Sequence, residues 1–226
     1  SAWQSQLHRL RRVLQLQSPV WATALSPDGS RILTQDQRGT LQVWNADTGQ
    51  AICAPVEEPS GAVPLTFSPD GSRIVTGGED GTAQLRDAAT LAPVGPPLEH
   101  AIAGDPSAPS NRVWFVAFSP DGSRILTASG NQDVGVVRLW DAGSQKSVGE
   151  PFLKGSPVAI AFSPKGPLVL AKTKSPAGRS VLQLWNVDSG EPIGPSREST
   201  YFVTAAISPD GLMCATAEWS HGQRKF

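Results

Sequence analysis

This 226-residue chain shows no catalytic and no metal-binding pattern among its histidines, serines and acidic residues. The three histidines, His8, His100 and His221, lie far apart, and none has a second ligand at the spacing that zinc sites use. Several serines and aspartates fall in a recurring Ser-Pro-Asp-Gly tetrapeptide, whose aspartate caps a turn and whose glycine permits positive φ. We therefore predict a chain that is not an enzyme and has no cofactor or metal site, with calcium binding by the acidic turns as the alternative.

The tetrapeptide recurs at a nearly constant distance. Its copies begin at Ser26, Ser68, Ser119, Ser163 and Ser208, with lysine for aspartate in the fourth, so the steps are 42, 51, 44 and 45 residues. A period of this length indicates one supersecondary unit that is repeated. In the second copy an apolar run (62–67) precedes the turn and a β-branched run (73–76) follows it, which predicts two strands joined by a tight turn.

A second turn, Asp80-Gly81 in that copy, leads into a third strand that ends in an aromatic residue in three other copies. These endings are Val43-Trp44-Asn45, Leu139-Trp140-Asp141 and Leu184-Trp185-Asn186. With this period, these turns and these tryptophans, the chain from about residue 10 to residue 226 resembles the WD-repeat β-propeller family. Its proline-containing outer segments are similar to those of long bacterial multidomain chains, in which propellers are often joined to Ser/Thr kinase or NTPase modules.

The resemblance implies an all-β fold, a β-propeller of four-stranded antiparallel blades with four complete blades and a partial fifth. We place the complete blades at residues 20–56, 62–98, 113–152 and 158–195, and the partial blade at 202–226. Residues 1–11 form an N-terminal segment, and residues 12–17 are expected to supply the outermost strand that the fifth blade lacks. Two alternatives stay open: a five-blade ring closed by that strand, and an open arc of a larger propeller.

The resemblance also implies a network within each blade. The tryptophan donates its indole N–H to a Ser or Thr on the second strand, which is linked to a histidine before the blade and to an aspartate in the following turn. By position, the structural residues are Trp44, Trp140, Trp185, Thr34, Thr76, Thr127, Thr216 and Asp80. The fourth blade has Ala171 in place of the hydroxyl, and Arg86 at the tryptophan position of the second blade is interpreted as a degenerate repeat position. We expect packing of the aromatics to hold the blades together without a complete network.

The connections that vary in length between the repeats all lie on one face of the predicted disc. From Ser-Pro to the tryptophan position the spacing is 18, 18, 21 and 22 residues, and the largest insertion, residues 99–112, follows an outer strand. In a four-stranded meander both kinds of loop emerge on the same face, so we predict that this face binds the partner. The candidate residues in its loops are Asp105, Arg112, Asn131, Gln132, Asp133, Lys172, Lys174 and Arg179.

Trp21 and Trp114 occupy one position near the start of two inner strands, where the other copies have valine. The resemblance places that end of the strand at the mouth of the central channel, on the loop-bearing face. Two interpretations stay open: both tryptophans anchor a partner peptide, or both fill the core.

Composition narrows the class of partner. A formal net charge of -1 argues against nucleic-acid binding as the main purpose, and no apolar run approaches the ~18 residues that a membrane span needs. The basic cluster at residues 8–12 is either a solvated segment or a binding arm, and Cys53 and Cys214 are expected to be free thiols. The chain begins at Ser1 without a methionine, so we expect it to be a piece of a longer protein. It shows no signal peptide, and we expect a cytoplasmic location, with a parent that could be membrane-anchored.

These observations predict a non-enzymatic protein-interaction scaffold that presents a loop-rich face to a protein or peptide. The alternative is a sensor or regulatory arm of a larger enzyme, such as a bacterial Ser/Thr kinase. The identity of the partner and the oligomeric state do not follow from the sequence.

Overall fold

The computed structural model describes residues 16, 18–58, 64–100, 112–130, 135–152, 156–163, 166–174, 180–198, 202–208 and 213–218. Across these residues the structure is all-β, and the strands form sheets of consecutive antiparallel neighbours, which are the blades of a β-propeller. The predicted fold class is thereby confirmed. Of the strand expected at residues 12–17, the structure describes residue 16, which is not in a strand; the other five residues lie outside the described part of the chain.

Four blades have four strands each, and a fifth sheet has two strands within the described residues. Blade one contains β1 (Val20–Leu25), β2 (Arg31–Asp36), β3 (Thr40–Asn45) and β4 (Val56–Glu57). Blade two contains β5 (Leu65–Phe67), β6 (Arg73–Gly77), β7 (Thr82–Asp87) and β8 (Leu98–Glu99). Blade three contains β9 (Val113–Phe118), β10 (Arg124–Gly130), β11 (Gly135–Asp141) and β12 (Ser147–Phe152). Blade four contains β13 (Ser156–Ser163), β14 (Gly166–Lys174), β15 (Ser180–Asn186) and β16 (Pro192–Glu198), and the fifth sheet contains β17 (Phe202–Ile207) and β18 (Cys214–Glu218).

The Ser-Pro-Asp-Gly tetrapeptide closes the hairpin between the first two strands of a blade. In blade two, Ser68 Oγ donates to Asp70 Oδ1 over 2.5 Å and accepts from the Arg73 amide over 2.9 Å. Gly71 takes a φ of 69°, which a side chain would disfavour. Blades one and three repeat these bonds, and the serine hydroxyls are the largest cause that lowers the pKa of the three turn aspartates, Asp28, Asp70 and Asp121, to about 2.

The outer strands of blades one and two are only two residues long, and prolines precede them. Pro55 stands before β4, and Pro96 and Pro97 stand before β8. Proline has no amide hydrogen for the ladder, which an outermost strand tolerates because one of its edges needs no partner.

The apolar core lies between blades. One cluster joins blades one and two, a second joins blades two and three, and a third joins blades three and four. At the first junction Leu33, Leu41 and Val43 of blade one pack against Phe67 and Ile74 of blade two. Each blade thus buries its apolar face only against its neighbour, as repeat proteins do.

An arginine that begins the second strand reaches from each of the first three blades to the next. Arg31 Nη2 donates to the Gly71 carbonyl over 2.6 Å, and Arg73 Nη1 donates to the Ala142 carbonyl over 2.7 Å. Arg124 forms an ion pair with Asp188 at 3.2 Å. In blade four this position is Leu168, which lies opposite Asn186 as Arg31 lies opposite Asn45. Blade four therefore has no arginine at this position to reach the next sheet.

Within the described residues, no helix has the length and apolar character to cross a bilayer.

Candidate functional site

The two rims of this row of blades carry different connections. The turn rim is formed by the Ser-Pro-Asp-Gly turns, and the loop rim lies at the other ends of the same strands. Both flanks of the longest connection lie at the loop rim, beside the turn from β6 to β7. The His100 amide donates to the Gly81 carbonyl over 3.0 Å, and the Val113 amide donates to the Gly78 carbonyl over 2.9 Å. The two kinds of loop therefore start from the same rim in blade two.

A β-bulge occurs at the loop-rim end of the inner strands. In the pairing of the first strand with the second, Trp21 of blade one and Trp114 of blade three have no residue opposite them. Val158 and Val203 hold this place in blade four and in the fifth sheet. A bulge leaves one residue unpaired and changes the direction of its side chain. The position singled out in the sequence is thus the bulged position of the inner strand.

The two tryptophans at this position have different environments. Trp21 is 62% exposed, and its neighbour Val20 is 38% exposed. Trp114 is partly buried, packs against the core cluster between blades three and four, and meets Phe115 edge-on at 6.2 Å between ring centroids. Trp114 therefore contributes to the core, whereas Trp21 presents most of its indole to solvent.

The charged candidates are only partly within the described structure. Arg112 lies 3.8 Å from Glu79 in an exposed ion pair that joins the long connection to the turn between β6 and β7. Such a pair stabilises the fold little, so both groups stay accessible to a partner. Lys172 and Lys174 lie in the last part of β14, at the loop rim, with side chains that are not described. The candidates outside the described residues are Asp105, Asn131, Gln132, Asp133 and Arg179.

The tryptophans at the ends of the third strands contact the second strand of their own blade. Trp44 Nε1 donates to Thr34 Oγ1 over 2.9 Å, and Trp140 Nε1 donates to Thr127 Oγ1 over 2.8 Å. In blade four Ala171 occupies the threonine position and has no hydroxyl to accept such a bond. There Trp185 packs against Phe152 with 5.9 Å between ring centroids. The side chain of Thr216 is not described, and Asp80 instead accepts bonds from Thr82 that close its own turn.

His100 extends the network of blade three. Its Nε2 lies 2.5 Å from Thr127 Oγ1, so histidine, threonine and tryptophan form one buried chain of contacts. Burial, and secondarily the charge of Arg138, lowers the pKa of His100 from 6.5 to about 3, and the imidazole is therefore neutral at pH 7. This role of His100 was not predicted from the sequence; its position directly after an outer strand was the available signal.

Blade two replaces this network with an ion pair. Arg86 Nε donates to Glu58 Oε1 over 2.7 Å, its Nη2 contacts the same oxygen, and its Nη1 donates to the Leu91 carbonyl over 2.8 Å. Glu58 Oε1 also lies 3.5 Å from Thr76 Oγ1, and all of these side chains are buried. Arg86 is thus a paired core residue, and Glu58 is a partner that the sequence analysis missed.

Glu58 and His100 hold the same place in successive blades. Each follows an outer strand directly, and the Glu58 amide donates to the Gly39 carbonyl over 2.9 Å, as the His100 amide donates to Gly81. Arg86 likewise holds the place of Trp140, because both oppose an isoleucine of the second strand in the register. Blade two therefore has Glu, Thr and Arg where blade three has His, Thr and Trp.

A glutamine two residues before the tryptophan position also escaped the sequence analysis. Gln42 Nε2 donates to the Cys53 carbonyl over 2.8 Å, and Gln183 Nε2 donates to the Ile193 carbonyl over 3.1 Å. Gln84 makes a longer bond of the same kind, 3.4 Å, to Gly95. These side chains tie the third strand to the chain segment of the outer strand. The repeated spacing of glutamine before tryptophan was the signal that could have revealed them.

The described residues contain no group of three or more His, Cys, Asp or Glu side chains placed to hold a metal ion. A cleft of about 320 Å³ opens at the turn rim between blades two and three, lined in part by Asp70, Arg73 and Asp121. The two carboxylates accept bonds from their own turns, and the arginine donates to Ala142. These groups therefore serve the fold at the places where they lie.

Comparison with known proteins agrees with this geometry. The model of the WD domain, G-beta repeat, matches the chain at residues 9–45, 65–87 and 104–141. The three matches end at Asn45, Asp87 and Asp141, which are the last residues of β3, β7 and β11. No curated protein sequence matches the chain. With three matched repeats and four antiparallel four-stranded blades, the chain belongs to the WD-repeat family of β-propeller proteins.

Proposed function

We propose that the chain is a non-catalytic scaffold that binds a protein or peptide at the loop rim, with Trp21 as an anchor. WD-repeat domains generally mediate protein–protein interaction and are typically not catalytic. The observation that carries the proposal is the exposure of Trp21, 62%, at a bulge on a strand that is itself held in a four-stranded sheet.

The physical reason is the nature of binding hot spots. Tryptophan supplies a large apolar area with few rotatable bonds, and it is enriched where truncation to alanine weakens binding most. A side chain on a rigid strand loses little freedom when a partner covers it, so more of its burial contributes to affinity. Val20, the adjacent residue, enlarges the exposed apolar area at this rim.

The test is selection of binders from a random peptide library displayed on phage, followed by calorimetric titration of the selected peptides. The Trp21→Ala variant should weaken binding by roughly tenfold or more, because hot-spot truncations cost ~2 kcal/mol or more. Leu25→Ala is the matched control: it lies on the same strand, is 66% exposed, and stands at the opposite rim. If Leu25→Ala weakened binding as much as Trp21→Ala, or if Trp21→Ala had no effect, the loop rim would not be the binding surface.

The regulatory alternative rests on the proline-containing outer segments of the repeats, whose sequence resembles that of long bacterial multidomain chains. In that case the chain is a sensor or regulatory arm of a larger enzyme such as a Ser/Thr kinase, and it is cytoplasmic. Sequencing of the parent gene distinguishes the two functions, since a catalytic domain in the same reading frame is required only by the alternative.

A further inference from the structure

We propose that the Glu58–Arg86 pair is a junction-specific contact: it makes the junction of blades one and two chemically incompatible with the junction of blades two and three, and so fixes the order in which similar blades pack. The proposal does not depend on what the loop rim binds. Three observations lead to it, one from the core, one from the turn rim and one from the loop rim.

The apolar core does not distinguish the two junctions. Blade two meets blade one through Phe67, Ile74 and Ala88, and blade three meets blade two through Phe118, Ile125 and Ala142 at the corresponding positions. The residues across each junction are aliphatic as well: Leu33, Leu41 and Val43 in one, and Val75, Ala83 and Leu85 in the other. Cores tolerate such hydrophobic exchanges when volume and pattern are kept, so packing alone would accept a wrong neighbour.

The turn rim does not distinguish them either. Arg31 and Arg73 donate to backbone carbonyls of the next blade, those of Gly71 and Ala142. Every blade offers backbone carbonyls at its turns, so an arginine of this kind can bond to whichever blade is adjacent. These contacts hold a neighbour in place without selecting it.

The loop rim does distinguish them. If blade one packed on blade three, Glu58 would face Thr127 and Trp140 and would lose its bonds to Arg86. Blade three has Arg138 near this place, but the guanidinium lies over the Trp140 ring. If blade two packed on another copy of blade two, His100 would face Arg86 and would leave a guanidinium without an anion. A buried charge that loses its partner is strongly destabilising, whereas in the observed junctions Arg86 pairs with Glu58, and Thr127 contacts His100 and Trp140.

His100 cannot replace Glu58 opposite Arg86. Its imidazole is neutral at physiological pH and has no negative charge to pair with the guanidinium. Polar residues buried at one position of a repeated interface are known to specify register in this way.

The decisive variant is Glu58→His with Arg86→Trp, which gives the first junction the residues of the second. Two copies of this variant, one with an affinity tag and one with a fluorophore, are unfolded in urea, mixed and refolded together. The fluorescence retained on the affinity resin measures chains that have exchanged blades. We expect it to exceed the wild-type value by about tenfold, the change that ~1.4 kcal/mol of lost discrimination produces.

The matched control is Glu58→Arg with Arg86→Glu, which keeps a charged pair at the first junction and hence keeps it different from the second. Its exchanged fraction should equal that of the wild type. The proposal is overturned if the decisive variant exchanges no more than the wild type, or if the control exchanges as much as the decisive variant.

A second variant guards against failure of the first to fold. His100→Glu with Trp140→Arg gives the second junction the residues of the first and predicts the same rise in exchange. If both variants failed to fold, the two residue sets would not be portable between junctions, and that outcome also contradicts the proposal.

Discussion

Single residues at equivalent positions carry different chemistry in successive blades. His100 and Glu58 begin equivalent connections, and each approaches a threonine of the next blade. The His100 side chain is neutral and contacts that threonine, whereas the Glu58 side chain also forms an ion pair. The reason is the residue opposite, an indole in blade three and a guanidinium in blade two. Equivalent repeat positions therefore share their backbone contacts, while the type of side chain at each position matches the residue that it contacts in the next blade.

The neutral state of His100 predicts a pH dependence of stability. Its pKa in the folded protein, about 3, lies below the ordinary 6.5, so between these values the unfolded chain binds a proton that the folded chain does not. The free energy of unfolding should then fall as the pH is lowered through this window, by up to ~1.4 kcal/mol per pH unit from this residue.

Urea denaturation at pH 7 and at pH 5 measures this contribution. In the His100→Gln variant the loss between the two pH values should be smaller than in the wild type, since glutamine does not titrate. The turn aspartates, with pKa values of about 2, lose their contribution only at lower pH and do not interfere. An equal loss in both proteins would show that His100 is protonated in the folded state.

At the scale of strands, the outer strand of each blade is the element with the weakest ladder. In blades one and two it consists of two paired residues. Side chains supplement the missing backbone bonds: Gln42 reaches from β3 to the Cys53 carbonyl, and in blade four Gln183 reaches from β15 to the Ile193 and Gly194 carbonyls. The outer strand is thus held partly by the side chains of its neighbour.

Replacement of Gln42 by methionine tests this role, because methionine has a similar length and no donor. Loss of the bond to the Cys53 carbonyl should destabilise the fold by about 1–2 kcal/mol, measured as a shift in the urea midpoint. Gln37→Met is the control, since Gln37 is exposed in the turn after β2, and it should change stability by less than about 0.5 kcal/mol. Similar shifts for the two variants would mean that the Gln42 amide does not hold the outer strand.

At the scale of the molecule, the described blades form a row in which the inner blades have a packed neighbour on each face. Blades two and three share core clusters with both neighbours. Blade one differs: Leu25 is 66% exposed, whereas Phe118, which holds the same position in blade three, packs against the junction core. The arginine bridges follow the same order and end at blade four, where Leu168 replaces arginine.

Amide hydrogen exchange should therefore be graded along the row. We expect the slowest exchange in β6 and β10, and faster exchange in β1 and in the pair β17 and β18, because a repeat is stabilised by its neighbours. Mass spectrometry of pepsin fragments resolves these strands. Protection of β1 equal to that of β10 would contradict the gradation and would favour the closed ring over the open arc.

Local chemistry made much of the fold predictable. The Ser-Pro-Asp-Gly turns, the strands beside them and the period depend on residues that are neighbours in the chain, so they could be read from the sequence. The tryptophan–threonine contact of blade three joins residues only 13 apart, and the repeat pattern placed both. These features depend on backbone preferences and on spacing, which the sequence states directly.

Contacts between blades were decided only by the tertiary structure. Glu58 meets Arg86 across 28 residues, and no pattern within one repeat relates a glutamate after one outer strand to an arginine at the end of another blade's third strand. The same holds for Trp21 and Trp114, which are equivalent in sequence but differ in exposure. Trp114 packs against the core between blades three and four, whereas Trp21 is 62% exposed although blade one packs on blade two in the same way. Burial and pairing depend on which surfaces meet, and that is a property of the packed blades rather than of any single repeat.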